Sequence, residues 1–187
     1  MKRTKTSYSK SDVTIMVCDP SMTGFGFTVL NQQGQIIEAE CIKTSPENKK
    51  RRIRKGDDRV RRLNEINNIV LPALKKYNVS LILTEQPHGS QNASAAVMIG
   101  IVIGMLQTIS DCFNIPIEWY SEGDSKYTLL GKRSATKKET IDKIKKLYSV
   151  PWTGIGYRDE AIADSMSIYH LALKTSATLN LLLKMKK

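Results

Sequence analysis

A chain of 187 residues with 41% hydrophobic and 25% charged residues is long enough for one buried core and too apolar to be disordered. Its formal net charge of +11 favours a polyanionic partner, of which nucleic acid is the commonest, although a basic surface alone names no function. The three cysteines Cys18, Cys41 and Cys112 make no CxxC pair and no zinc-type spacing, which argues against a disulfide framework or a zinc site and predicts reduced core thiols in a cytosolic protein.

Residues 1–12 read as a flexible basic leader with no apolar segment behind it, unlike a secretory signal. Residues 13–18 are a short apolar run ending at Asp19-Pro20 and predict a first strand. A second follows over 24–30, rich in the β-formers Phe25, Phe27, Thr28 and Val29, then a turn at 31–34 and a third strand over 35–42. Short turns between them predict an antiparallel meander. Residues 43–56 are a polar, basic loop. From 57 to 77, Val60, Leu63, Ile66, Ile69, Val70 and Leu74 recur at helical spacing, with Asp57 or Asp58 as the expected N-cap.

Residues 80–84 read as a compact strand ending at Glu85, followed by a loop over 87–91 and a helix over 92–113. The most apolar stretch of that helix, 93–106, falls short of the roughly 18–20 residues a membrane span needs and reads as a buried helix. A strand over 115–120, a brief helix or turn over 124–131 and helices over 134–150 and 159–183 complete the chain. The last two are separated by a Pro/Gly-bearing loop at 151–156. The order βββ-α-β-α-β-α-α predicts a single α/β domain spanning 1–187.

The acidic residues fall at telling places. Asp19 ends the first strand and Glu85 the fourth, and functional side chains in an α/β sheet gather beyond strand ends. Asp164 lies early in the last helix with Glu160 one helical turn before it, so the two share a face. Like charges at that spacing weaken a helix unless a cation binds them, and carboxylates are the hard oxygen ligands of Mg²⁺ and Mn²⁺. Such a set can hold two divalent ions about 3.5–4 Å apart, which activate a water and stabilise the leaving oxygen of a phosphodiester. No histidine or cysteine nucleophile is required, in keeping with a sequence whose only histidines are His88 and His170. Each acid alone has a plainer reading as a turn residue, a rim residue or a helix-dipole partner; the set together favours a metal site.

Four motifs in order carry a family resemblance. Cys18-Asp-Pro-Ser-Met-Thr-Gly-Phe-Gly26 resembles the first-strand motif of RuvC-type resolvases, nucleases of the RNase H-like superfamily that cut four-way DNA junctions. Thr84-Glu-Gln86 with Asn92-Ala-Ser-Ala95 and the Gly100/Gly104 helix is similar to their second motif. Lys126-Tyr-Thr-Leu-Leu-Gly131 with Ser134-Ala-Thr-Lys-Lys-Glu-Thr-Ile141 resembles their basic segment, and Ala163-Asp-Ser-Met-Ser-Ile168 their closing helix.

The resemblance implies an RNase H-like fold, with a mixed five-stranded sheet flanked by helices on both faces. It also implies a divalent-metal endonuclease of Holliday and other branched junctions. Asp19, Glu85 and Asp164 would be metal ligands. The family's usual fourth acid falls on Ala161 here, leaving Glu160 as the substitute and Asp159 behind it. Lys138 would hold the scissile phosphate or the attacking water, with Lys137 as its rival, and Lys126 would be the second active-site lysine.

For DNA contact the candidates are Lys49, Lys50, Arg51, Arg52, Arg54, Lys55, His88, Asn92 and Lys137. Arg59, Arg61 and Arg62 extend the basic run, which would make affinity strongly salt-dependent. The small-residue stripe Ala96, Gly100 and Gly104 lies where the family builds a two-fold homodimer, and core packing explains it equally well. Expected cofactors are two Mg²⁺ or Mn²⁺ ions; the expected setting is the cytoplasm of a cell, or of a host if the source is viral or a mobile element. Rival readings are an RNase H-like nuclease of flaps, RNA or RNA–DNA hybrids, a non-cleaving junction binder, and an actin-like ATPase. The ATPase reading is disfavoured by the short chain and the lack of a P-loop.

Overall fold

The computed structural model describes residues 13–47 and 53–185; the leader and the candidates Lys49, Lys50, Arg51 and Arg52 lie outside them. Five strands form one sheet: β1 (Thr14–Asp19), β2 (Gly24–Asn31), β3 (Ile36–Lys43), β4 (Leu81–Gln86) and β5 (Ile117–Ser121). Their spatial order is β3-β2-β1-β4-β5, antiparallel across β3-β2-β1 and parallel across β1-β4-β5. The expected mixed five-stranded sheet is present, with the hairpin meander forming one half of it.

Among the described residues six helices cover the sheet: α1 (Lys55–Tyr77), α2 (Ala93–Phe113), α3 (Glu122–Leu130), α4 (Lys137–Leu147), α5 (Gly156–Thr175) and α6 (Ala177–Lys184). The period-2 alternation of β1 and β4 divides them into two layers. Met16, Cys18 and Ile82 pack with Ile66 and Val70 of α1 and Val102 and Leu106 of α2. Ile15, Val17, Leu81 and Leu83 pack on the opposite face with Leu129 of α3, Ile144 of α4 and Ile162 and Met166 of α5. Odd-numbered positions of both strands therefore face α5, and Asp19 and Glu85 continue that parity.

Helix α5 lies close on the sheet because the facing residues are small. A Cβ placed on Gly26 of β2 would stand 2.6 Å from the Ala161 Cβ, so only glycine admits this approach. One turn further along α5, the hydroxyls of Thr28 and Ser165 meet at 3.1 Å.

Several expectations are corrected. The N-cap of α1 is Arg54 rather than Asp57 or Asp58. Both aspartates sit in the first turn, where the helix dipole favours them, and pair with Arg54 and Arg61. The helix expected over 159–183 starts at Gly156 and breaks at Ser176, whose hydroxyl accepts from Leu179 N at 2.8 Å and starts α6. Cys18 and Cys41 are buried, but Cys112 is exposed near the end of α2 and is no core thiol.

The expectation of a buried helix over 93–106 also fails. Val102, Met105, Leu106 and Ile109 of α2 are buried, whereas Ala93, Ala96, Val97, Gly100 and Gly104 are open. By length and composition α2 would suffice to cross a membrane, yet one flank is seated in the core beside α1. Its small residues lie on the other flank, where none of the described residues covers them.

Candidate active site

The carboxyl ends of the three parallel strands lie side by side. Asp19 closes β1, whose Cys18 stands opposite Thr84 of β4; the next residue of β4 is Glu85. Glu85 in turn stands opposite Tyr120 of β5, and β5 runs directly into α3, which opens with Glu122. Asp164 reaches the same region from α5, whose buried residues surround it on the sheet side. A cleft of about 270 Å³ opens there, with Asp19, Thr23, Lys137, Tyr157, Glu160 and Asp164 among its walls.

The electrostatics bind these groups into one unit. Burial, followed by the Asp164 carboxylate, raises Asp19 to about 7, with Lys137 pulling the other way. Burial, then Asp19, Glu122 and Asp164, pushes Glu85 to about 8. Burial also raises Asp164 to about 6 against the lowering effect of Lys126 and Lys137. Each acid is thus held up by loss of water and by its neighbours' charge, two causes that both disfavour the ionised form.

Two lysines flank the group. Lys126, with its side chain only 15% exposed, is ion-paired with Glu122 one turn earlier in α3. Lys137, at the start of α4, pairs with Glu160 at 2.5 Å and lines the cleft, whereas Lys138 is exposed and is not among the cleft-lining residues. The two fourth-acid candidates differ in the same way. Glu160 lines the cleft. Asp159 is buried and accepts from Thr153 N and Oγ1 at 2.8 Å and from Gly154 N at 3.1 Å, which ties down the loop before α5.

Among the described residues no three His, Cys, Asp or Glu side chains stand at ligand spacing for a metal. The donor chemistry nevertheless fits a hard divalent cation. The clustered groups are oxygen donors, and a cation among them would reverse the mutual repulsion that raises Asp19 and Glu85.

The DNA-contact candidates divide. Arg54 and Lys55 are exposed at the start of α1, Arg54 being paired with Asp57. His88 is exposed in the loop after β4. Asn92 caps α2, its Oδ1 accepting from Ser94 N at 2.9 Å and Ala95 N at 3.1 Å. Arg62 does not belong to a phosphate-tracking run. It is 3% exposed and donates to Thr44 Oγ1 at 2.8 Å and to Met22 O and Thr23 Oγ1 at 3.1 Å, so it staples the loop that follows Asp19. Arg61 is held by Asp58 and the Ser45 carbonyl, and Arg59 reaches Ser94 Oγ at 3.0 Å.

Sequence reasoning did not single out Glu122, whose charge helps raise Glu85, or Lys43 and Tyr157, which also line the cleft. Glu122 had a usable signal, since it follows the fifth strand as directly as Asp19 and Glu85 end theirs.

Comparison with known proteins agrees with this architecture. Residues 15–170 match the family model of the crossover junction endodeoxyribonuclease RuvC. The chain is 23% identical over 159 residues to RuvC of Shewanella oneidensis, covering 83% of this chain and 86% of that protein. Its fold is similar to Thermus thermophilus RuvC solved in complex with a Holliday junction substrate (TM-score 0.65, 20% identity, 83% of this chain and 93% of that one). It is also similar to the yeast mitochondrial Holliday junction resolvase Ydc2 (TM-score 0.56, 12% identity, 91% of this chain and 81% of that one).

Proposed function

The chain belongs to the RuvC family of crossover junction endodeoxyribonucleases, and from this and the acidic centre we propose that it resolves four-way DNA junctions by hydrolysis with divalent metal. The observation that carries the reading is the meeting of Asp19 and Glu85, at the ends of adjacent parallel strands, with Asp164 on α5. These three would hold Mg²⁺ or Mn²⁺, with Glu160 the best-placed fourth ligand and Glu122 beside them. When bound, two such ions supply an activated water and stabilise the leaving oxygen.

The chain's own residues do the rest. Lys137 and Lys126 place positive charge on either side of the acids, where a phosphate must lie to be cut. Binding energy there offsets the repulsion between the phosphodiester and the carboxylates. The cleft position of Lys137 supports it over Lys138 for this role. Arg62 keeps the loop after Asp19 in place. Arg54, Lys55 and the basic segment before them would follow the DNA backbone.

Homodimerisation is part of the proposal. A Cβ added at Gly100 or Gly104 would meet nothing among the described residues within 4 Å, so packing among them does not require glycine at either position. A second copy approaching α2 closely would require it, and a two-fold pair of active sites suits paired nicks in a symmetric junction.

Cleavage of a labelled four-way junction tests the reading. Paired nicks with Mg²⁺, absent in EDTA and absent for Asp19→Asn, are expected. Tight junction binding with no cleavage under any divalent metal would instead identify a junction-binding protein. Sedimentation of Gly104→Arg as a monomer, against a dimeric wild type, checks the interface.

A further inference from the structure

The cleft has a second wall that the acidic centre does not use. Tyr157, in the first turn of α5, lines the same cleft as Asp19 and Asp164, and 39% of it is exposed. Two cations attend its ring. The Lys43 ammonium lies 4.5 Å from the ring centre and the Arg158 guanidinium 5.9 Å. Lys43 is the last residue of β3, so this contact ties the rim of the sheet to the start of α5 and steadies the ring at the mouth of the cleft. The Arg158 guanidinium also hydrogen-bonds the Tyr157 side chain, and its buried Nε has no hydrogen-bond partner among the described residues.

An exposed aromatic ring with cations against it, beside an acidic centre, matches one ligand chemistry well. A nucleotide presents a flat π-face next to an anion. Its base stacks on an aromatic side chain while cations take the adjoining phosphate. The phosphodiester that reaches Asp19 and Asp164 brings its neighbouring nucleotide along the same cleft.

We propose that Tyr157 and Lys43 form a nucleotide shelf: Tyr157 stacks an unpaired base beside the cut phosphate, and Lys43 binds the phosphate flanking that base. The proposal rests on the junction-cutting reading and adds to it a source of structural selectivity. A base inside a linear duplex is already stacked and paired, and taking it out costs free energy. A base at a branch point is cheaper to expose. Stacking on an aromatic ring tolerates any base, so the shelf selects branched DNA over linear duplex without selecting sequence.

The test measures binding of the full chain in EDTA to a four-way junction and to a linear duplex of equal length, with 2-aminopurine at the branch point as a stacking reporter. Tyr157→Leu is expected to weaken junction binding roughly tenfold, about 1.4 kcal/mol, to leave duplex binding unchanged and to abolish the quenching seen with wild type. Tyr157→Phe keeps the ring and is expected to keep both properties. Lys43→Met is expected to lower the slope of log affinity against log salt by about one.

Junction binding by Tyr157→Leu equal to wild type, an equal loss on duplex, or a loss in Tyr157→Phe as large as in Tyr157→Leu would overturn the stacking role. An unchanged salt slope for Lys43→Met would overturn the phosphate contact. A wild type that neither binds nor cuts junctions would remove the resolvase reading itself, whereas a wild type that does both beside an equally competent Tyr157→Leu removes the shelf alone.

Discussion

Asp19→Asn separates stability from function in a way that few substitutions do. In the metal-free chain Asp19 titrates at about 7 instead of 3.8, with burial as the main cause and the Asp164 carboxylate next. A carboxyl whose folded pKa lies above its unfolded one binds more protons when folded, so its ionisation opposes folding, and stability falls as pH rises between the two values. The shift is roughly 3 units, which at about 1.36 kcal/mol each sets a ceiling near 4 kcal/mol at pH 8. Neighbouring acids relax when one is neutralised, so a gain of about 2 kcal/mol is expected, or roughly 4–8 °C in Tm for a chain of this size. Thermal unfolding in EDTA across pH 4–8 reads it out. Asp19→Asn should be more stable than wild type at pH 8, by a margin that shrinks as pH falls and vanishes near pH 4. Added Mg²⁺ should stabilise wild type by mass action and the variant much less, while cleavage is lost in the variant at every pH. A destabilised Asp19→Asn at pH 8, or a margin independent of pH, would refute the account of repulsion relieved by metal.

Cleavage at subsaturating Mg²⁺ is expected to rise between pH 6 and 8, because Asp164 at about 6, Asp19 at about 7 and Glu85 at about 8 must lose protons to bind a cation. A tenfold increase in Mg²⁺ should move the midpoint to lower pH, and a flat profile in single-turnover assays would contradict this. Lys137→Ala should cost roughly 100-fold in cleavage rate, and Lys138→Ala should stay close to wild type; the reverse order would return the role to Lys138. Gly26→Ala should destabilise the fold by about 1–3 kcal/mol through its contact with Ala161, with Ala161→Gly in the same chain restoring part of the loss. Denaturant unfolding of the two single variants and the pair checks that coupling.

The strand-borne half of the candidate site was legible in the sequence for a physical reason. A strand has a side-chain period of two, so a short apolar run that ends in an acid specifies both the end of the sheet and the face on which that acid lies. The runs before Asp19 and Glu85 carried that information unaided, and β1 and β4 place both residues on the α5 side. Helix-borne groups lack such a rule. Lys137 and Lys138 are consecutive and lie about 100° apart around the axis, so only the seating of α4 against α5 decides which one meets Glu160. Glu122 in a first helical turn reads as an ordinary dipole partner until the parallel pairing of β4 with β5 brings it beside Glu85. Arg62 looked like part of a basic run because composition cannot tell a surface arginine from one whose guanidinium holds Met22, Thr23 and Thr44. The misreading of α2 has a different origin. Its apolar stretch signals burial correctly for Val102, Met105, Leu106 and Ile109, whereas Ala96, Val97, Gly100 and Gly104 are left open by the described residues. An apolar pattern states that a face is to be covered and leaves open what covers it, so a helix that joins two copies and one that fills a core present the same sequence.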